Sequence, residues 1–216
     1  MDPVPAKVAG STAEAPADRR RAEIIFQAAV LFDRNGYHST SMEDIATAIG
    51  LRKPTLYHYV SSKEEILFLI HKEAISVLVA RHQARQRTSM PMSHQLLEII
   101  SDILEVTGQG GSPHGRVFLE HYRELPEQYQ AVIRAERVQY TRMVEDVIRA
   151  GIERGELEPV DPRITAFALI GMAVWSYQWY RVEGPLGGRE IAYQFWDILL
   201  KGIARRTGTD GGPVAG

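Results

Sequence analysis

Apolar residues recur at Ile25, Ala28, Ala29 and Phe32, the i, i+3, i+4, i+7 spacing of one helical face, and the run stops at Asn35-Gly36. A second stripe, Ile45, Ala46 and Ile49, lies between Thr40-Ser41 and Gly50. Thr and Ser are helix N-cap types, and Glu43 stands three residues after Thr40, the reciprocal spacing of a capping box, so a helix is predicted to begin near Met42. Gly50 ends it by supplying the left-handed backbone of a C-terminal cap. Pro54 suits the first turn of a new helix, because its φ is already helical and its missing N–H has no partner there. That helix, residues 54–60, is short and aromatic. Ser61-Ser62-Lys63-Glu64-Glu65 then opens a long helix through Ile66, Leu67, Ile70, Ala74 and Leu78 to about Arg87, and Met90-Pro91-Met92 stops it.

The same periodicity continues to the C-terminus. Ser93 caps a helix through Leu96, Leu97, Ile100 and Leu104, which runs into the glycine-rich stretch 108–113, read as a flexible connector. Residues 114–124 form a short helix. Pro126 and Glu127 open a long one through Tyr140, Met143, Val147 and Ile148 to Arg154-Gly155. A more hydrophobic helix spans 164–180, and a last one 188–205. Period-two alternation, internal repeats and sustained heptads are missing, so the chain reads as all-α with about nine helices. Residues 19–63 form an N-terminal three-helix helix-turn-helix domain, in which the second helix of the motif enters the DNA major groove and the first braces it. Residues 64–206 form a C-terminal helical bundle for ligand binding and dimerisation. Residues 1–18, rich in Pro and Ala without periodicity, read as a disordered arm, and 207–216 as a flexible tail.

The net charge of −2 argues against a protein that coats nucleic acid indiscriminately, but its distribution changes the picture. Residues 19–63 hold seven basic and four acidic side chains, a local +3, which leaves −5 for the rest. A basic unit on an acidic body suits site-directed DNA binding. Arg19, Arg20 and Arg21 read either as phosphate contacts or as a solvated helix start. Zero cysteines exclude a disulfide framework and any thiolate site. Neither a run of the ~18 apolar residues of a membrane span nor the order of a signal peptide is present, which makes the cytoplasm the expected location, with no membrane partner.

Thr40-Ser41-Met42, Ile45-Ala46, Gly50, Thr55-Leu56-Tyr57-His58-Tyr59 and Ser62-Lys63-Glu64 together resemble the N-terminal signature of the TetR/AcrR family of one-component transcriptional regulators. Arg52 stands where that family commonly has a small capping residue, and Val60 where it commonly has Phe. The start of the recognition helix, Arg52, Lys53, Pro54 and Thr55, is where side chains reach base edges: Arg and Lys favour guanine, and the Thr methyl meets a thymine methyl. The resemblance implies phosphate contacts from Thr40, Tyr57, Tyr59 and Lys63, and places Ser41 and His58 in the same DNA-binding set. Of Tyr57 and Tyr59, one belongs to the core, because alternate positions on a helix diverge by about 200°.

Catalytic chemistry finds no foothold: there is no Gly-x-Ser-x-Gly elbow, no acidic pair beside a His and no dinucleotide fingerprint, so no enzyme activity and no cofactor are expected. His121 and Glu124 share a helical face near His114, but no further ligand is spaced to join them, and no metal site is expected. Phe118, Tyr122, Met143, Met172, Trp175 and Trp179 are each read either as core or, collectively, as the lining of an apolar effector cavity between helices. Trp179-Tyr180-Arg181, Gly184-Pro185-Leu186 and the helix from Ile191 resemble the C-terminal domain of TetR-type regulators of fatty-acid and steroid catabolism, which implies a CoA thioester as effector and an arginine (Arg123, Arg142 or Arg181) for its anionic group. Ala168, Met172 and Trp175, with Ile191, Phe195, Ile198 and Leu199, offer an apolar face for a two-fold homodimer through the last two helices. Two recognition helices ~34 Å apart would then read a palindromic operator. The expectation is a repressor released by a small, largely apolar effector. Its alternatives are an efflux regulator with a free hydrophobic ligand, or, in other classes, a helical adaptor or an enzyme.

Overall fold

The computed structural model describes residues 16–107, 113–181 and 183–203, all of them helical or connecting. The nine α-helices in these residues are α1 (Pro16–Asn35), α2 (Met42–Ala48), α3 (Lys53–Leu56), α4 (Lys63–Arg85), α5 (Met92–Thr107), α6 (Pro113–Glu120), α7 (Glu127–Glu153), α8 (Pro162–Trp175) and α9 (Gly188–Ile203). Two 3₁₀ turns, Tyr122–Glu124 and Ser176–Gln178, follow α6 and α8. No helix among the described residues is long and apolar enough to cross a membrane. The helix α1 starts at Pro16, so three residues assigned to the arm are already helical; residues 1–15, the stretch 108–112 and the tail lie outside the described residues.

Local chemistry sets the element borders. At α2 the cap is Ser41 rather than Thr40: Ser41 Oγ accepts from Asp44 N–H at 3.2 Å while Asp44 accepts from the Ser41 N–H at 2.8 Å. The predicted capping box is therefore present one residue later. The Ser41 hydroxyl and N–H hold the Asp44 carboxyl below its usual range. At the other end, Gly50 has φ +67°, Leu51 N–H reaches Ala46 O at 2.8 Å and Gly50 N–H reaches Thr47 O at 3.1 Å, the paired bonds of a Schellman motif. The helix α8 ends at Trp175, five residues short of its predicted end, and tightens into a 3₁₀ turn in which the Ser176 hydroxyl donates to Ala173 O.

Two cores meet along α4. The first joins α1, α2 and α3 through Ile24, Phe32, Ile45, Ile49 and Leu56, with Tyr37, and it extends without a break into Val117 and Phe118 of α6 and Ile133 of α7. The fully buried Leu56 under α3 contributes about 2–3 kcal/mol by leaving water. The second core packs α5 against α7, α8 and α9 through Ile99, Ile100, Val144, Leu169 and Ala192. The helix α6 is thus wedged against α1 and α4 together. It can approach α5 as closely as it does because residue 115 is Gly: a Cβ there would lie 2.2 Å from Val106 O. Further along α4, Arg81 and Arg85 both pair with the buried Asp102 of α5, and Arg81 also takes Glu105 at 2.7 Å.

His71 sits inside this junction, fully buried, with its Nδ1–H donating to Leu67 O at 2.9 Å and its ring against Phe118 and Tyr122. Burial first, then the Arg137 guanidinium and His121 nearby, push it down from 6.5 to about 4 against the raising effect of its hydrogen bonds. The folded state therefore holds His71 neutral while the unfolded chain protonates it. Its contribution is complete above pH 6.5 and is lost as pH falls toward 4, about 2 kcal/mol by pH 5. Urea unfolding at pH 7 and pH 5 should show this loss, and the His71→Gln variant should lose that much less stability between the two; an unchanged difference would mean that His71 carries none of it.

Candidate nucleic-acid interface and effector cavity

The recognition element is shorter than its sequence predicts. Only Lys53–Leu56 is α-helical, with Arg52 as N-cap making no side-chain cap bond and Pro54 in the first turn. Residues 57–60 continue as tight turns, His58 N–H to Thr55 O and Tyr59 N–H to Leu56 O. This leaves Arg52, Lys53, Pro54, Tyr57 and His58 exposed on one short element, with Thr55 half-buried beside them. Tyr57 is 46% exposed, whereas Tyr59 packs partly against the first core, so Tyr59 is the tyrosine that supports the helix from beneath. Val60 is buried, filling the site expected for a larger Phe.

Two residues expected at phosphate are turned inward. The Thr40 hydroxyl is buried and donates toward Gly36 O at 3.0 Å and Leu31 O at 3.3 Å, closing the loop between α1 and α2. Lys63 Nζ donates to Tyr37 O and Thr40 O, each at 3.0 Å, and lies 4.4 Å from the Tyr37 ring centroid. Three carbonyl and ring partners leave this ammonium as a brace, not as a free cation. Ser41 is exposed but spends its hydroxyl on the α2 cap. The basic triplet is also partly committed: Arg20 donates to Ile49 O at 2.8 Å, at the C-terminal end of α2 where a cation is favoured, and Arg21 to Glu65 at 2.8 Å. Arg52 and Lys53, by contrast, are exposed at the start of α3 with no side-chain partner among the described residues.

In the second half, an apolar cavity of about 300 Å³ opens between α4, α5, α6, α7 and α8. Ile75 and Leu78 of α4, Ile103 and Thr107 of α5 and Phe118 and Leu119 of α6 form one side. Arg137, Tyr140 and Thr141 of α7 face Phe167, Ile170 and Val174 of α8 across it. A second hollow, about 480 Å³, lies between the end of α4 and α7, but its wall is mostly polar. Of the six residues proposed from sequence as lining, the structure places only Phe118 in the cavity. Tyr122 stands over Arg137 and donates to Gln130 O, Met143 and Met172 pack partly into the second core, and Trp175 and Trp179 are 63% and 47% exposed. The sequence signal that locates the cavity is Arg137 itself, which falls on the buried stripe Ile133, Arg137, Tyr140, Val144, Ile148 of α7, where a helix facing a core has no reason to carry a cation.

Among the described residues no group of three or more His, Asp and Glu is placed to hold a metal. Glu124 pairs with His38 at 3.0 Å rather than joining His121 in a site. The apolar face of the last two helices is redistributed. Ile191 and Leu199 are buried in the chain's own core and Phe195 packs against it, whereas Ile164, Phe167 and Trp175 of α8, with Ala168 and Gly171 between them, and Tyr193 and Ile198 of α9 are exposed.

Two family models match the chain: "Bacterial regulatory proteins, tetR family" over residues 24–70 and "Tetracyclin repressor-like, C-terminal domain" over 89–203, the second alone covering more than half of it. The chain belongs to the TetR family. It is accordingly a DNA-binding transcriptional regulator and not an enzyme, and the helix-turn-helix reading of residues 42–60 holds. Among its relatives is the HTH-type transcriptional repressor KstR2 of Mycobacterium tuberculosis, 27% identical over 191 residues that span 86% of this chain and 94% of that protein. Among solved structures, AibR in complex with isovaleryl coenzyme A and operator DNA is 27% identical with a TM-score of 0.73, covering 83% of this chain and 97% of AibR. The TetR family transcriptional regulator PfmR from Thermus thermophilus is 30% identical with a TM-score of 0.75, covering 82% of this chain and 97% of PfmR.

Proposed function

We propose that this TetR-family chain is a cytoplasmic repressor, homodimeric through α8 and α9, that reads a palindromic operator through two copies of α3 and releases it when a small, largely apolar effector fills the cavity. Residues 19–63 are the reading unit and 64–206 the effector and dimer unit. Arg52, Lys53, Pro54, Thr55, Tyr57 and His58 supply the contacts to DNA. Repression and an acyl-CoA effector are supported by KstR2, named a transcriptional repressor, and by AibR, solved with isovaleryl coenzyme A and operator DNA. A space of about 300 Å³ is at the lower end of small-molecule sites and takes an acyl group, with the nucleotide of a CoA ester outside it.

The observation that carries this reading is the position of α6. Phe118 and Leu119 line the cavity, while the same helix packs on α1 and α4 and holds α1 through Arg116 Nε to Asp33 at 3.2 Å. An effector that pushes on Phe118 therefore acts on α1 and, through His71, on α4, whose first residue Lys63 holds Tyr37 O and Thr40 O. Only unequal affinity for the two arrangements can move the equilibrium. Footprinting on the DNA flanking the chain's own gene should show a protected palindrome that disappears on adding a short acyl-CoA; protection that persists at saturating ligand for every acyl-CoA tried would overturn the effector class.

A further inference from the structure

The cavity wall holds four polar side chains, and the charged one among them, Arg137, makes no ion pair among the described residues. Arg137 lies with its guanidinium carbon 4.6 Å from the Phe118 ring centroid and 4.5 Å from that of Tyr122. These ring contacts make no conventional hydrogen bond and so leave the five N–H donors of the guanidinium edge to be satisfied. One donor reaches Phe118 O at 3.4 Å, and Nε is buried without a hydrogen-bond partner among the described residues. The neighbouring Glu136 makes no ion pair with the group; it lines an adjoining hollow beside Ser76 and Val79, and one of its carboxylate oxygens is itself buried without a hydrogen-bond partner. The other polar groups of the wall do not compensate it. Thr107 and Thr141 already donate their hydroxyl protons to Ile103 O at 2.7 Å and Arg137 O at 2.9 Å, and Tyr140, whose hydroxyl is buried and unpartnered, stays a neutral donor because burial pushes it up.

A cation held in an apolar cavity without a counter-ion is costly by itself and is matched by a planar two-oxygen anion, which the guanidinium edge takes as a bidentate pair. We propose that the effector carries an ionised carboxylate that docks on the N–H edge of Arg137, with its apolar body against Ile75, Ile103 and Ile170. This rests on the reading of the cavity as the effector site and narrows it to acidic apolar ligands. The carboxylate has two sources: a free monocarboxylic acid, or the far end of a dicarboxylic acyl group carried on coenzyme A.

Isothermal titration of the full-length protein with octanoate, octanamide, octanoyl-CoA and suberoyl-CoA tests it. Octanoate should bind about ten- to a hundredfold tighter than the isosteric octanamide, the difference between a bidentate ion pair and a single bond to a neutral amide oxygen. Arg137→Gln should abolish that preference, so that octanoate binds the variant no more tightly than octanamide does. A preference for octanoate over suberoyl-CoA assigns the free acid; a preference for suberoyl-CoA over both octanoate and octanoyl-CoA assigns the carried one. Equal binding of octanoate and octanamide by the unmodified protein, or a preference that survives in Arg137→Gln, would overturn the carboxylate. The unmodified comparison stands even if the variant fails to fold. Should octanamide bind and release operator DNA without any advantage for octanoate, the effector cavity survives and the carboxylate does not; binding by none of the four overturns both.

Discussion

Gly171→Glu is expected to turn the protein into a folded monomer and to cost about a hundredfold or more in operator affinity. The reason lies in what surrounds Gly171. It sits in the exposed stripe of α8 between Phe167, 51% exposed, and Trp175, 63% exposed, with Ala168 one turn back, and α9 adds Ile198, 61% exposed. A Cβ at Gly171 meets nothing within 4 Å of its own chain, and the position is exposed, so a side chain can leave the helix there into open space. Replacing Gly in a helix interior relieves about 0.5–1 kcal/mol of backbone entropy cost, which makes the monomer at least as stable as before. In a two-fold dimer built on this stripe, the added carboxylate is buried unpaired among apolar side chains. Losing the second half-site removes an avidity of ~10²–10⁴. Sedimentation equilibrium and operator titration check both parts, with Gly171→Ala as a control that should stay dimeric. A Gly171→Glu protein that still sediments as a dimer would move the interface away from α8.

The second large effect belongs to the exposed cations of α3. Arg52, which the fold makes the uncommitted N-cap of α3 and not part of the helix, is assigned to a flanking phosphate instead of a base edge, so Arg52→Ala should weaken binding to every sequence and reduce the slope of log affinity against log salt by about one unit. Lys53→Ala should instead relax preference at one base pair, at about 1–3 kcal/mol. Lys63→Ala is the informative contrast. Its ammonium is held by Tyr37 O and Thr40 O, so its removal should leave the salt slope unchanged and lower thermal stability by about 2 kcal/mol, for two charge-assisted hydrogen bonds to carbonyls. A slope reduced by a full unit in Lys63→Ala would restore it to the phosphate contacts. Salt-dependent fluorescence anisotropy from low to moderate ionic strength separates the three.

The contrast between Lys53 and Lys63 also shows what the sequence could and could not reveal. Periodicity located α1 and α2, whose stripes face one core, and α4, whose stripe runs from the first core into the second, and Gly50 and Ser62 have local roles that any neighbourhood would preserve. The recognition helix was overextended because Pro54 signals a start, while nothing local signals that Tyr59 and Val60 are pulled under it by the core. Lys63 resembles a phosphate ligand by type and position, and only the folded chain shows that Tyr37 and Thr40, more than twenty residues earlier, supply its partners. The effector cavity was harder still. Trp175 and Trp179 have the chemistry of a lining, but the apolar spacing of α8 serves two faces, and sequence does not say which is turned inward. Arg137 was legible, as a cation on a buried stripe. An aromatic search passes over it.

The central claim is that effector and operator compete through two arrangements of one protein. The direct test is the affinity of the purified dimer for its effector, measured by titration in the absence and in the presence of saturating operator DNA. Because coupling is reciprocal, an effector that lowers operator affinity by some factor must bind the DNA-bound protein more weakly by that same factor, typically about 5- to 150-fold. The expected result is a matching pair of factors in that range, obtained with an acyl-CoA or an acidic apolar ligand. Equal affinity for free and DNA-bound protein would contradict the account.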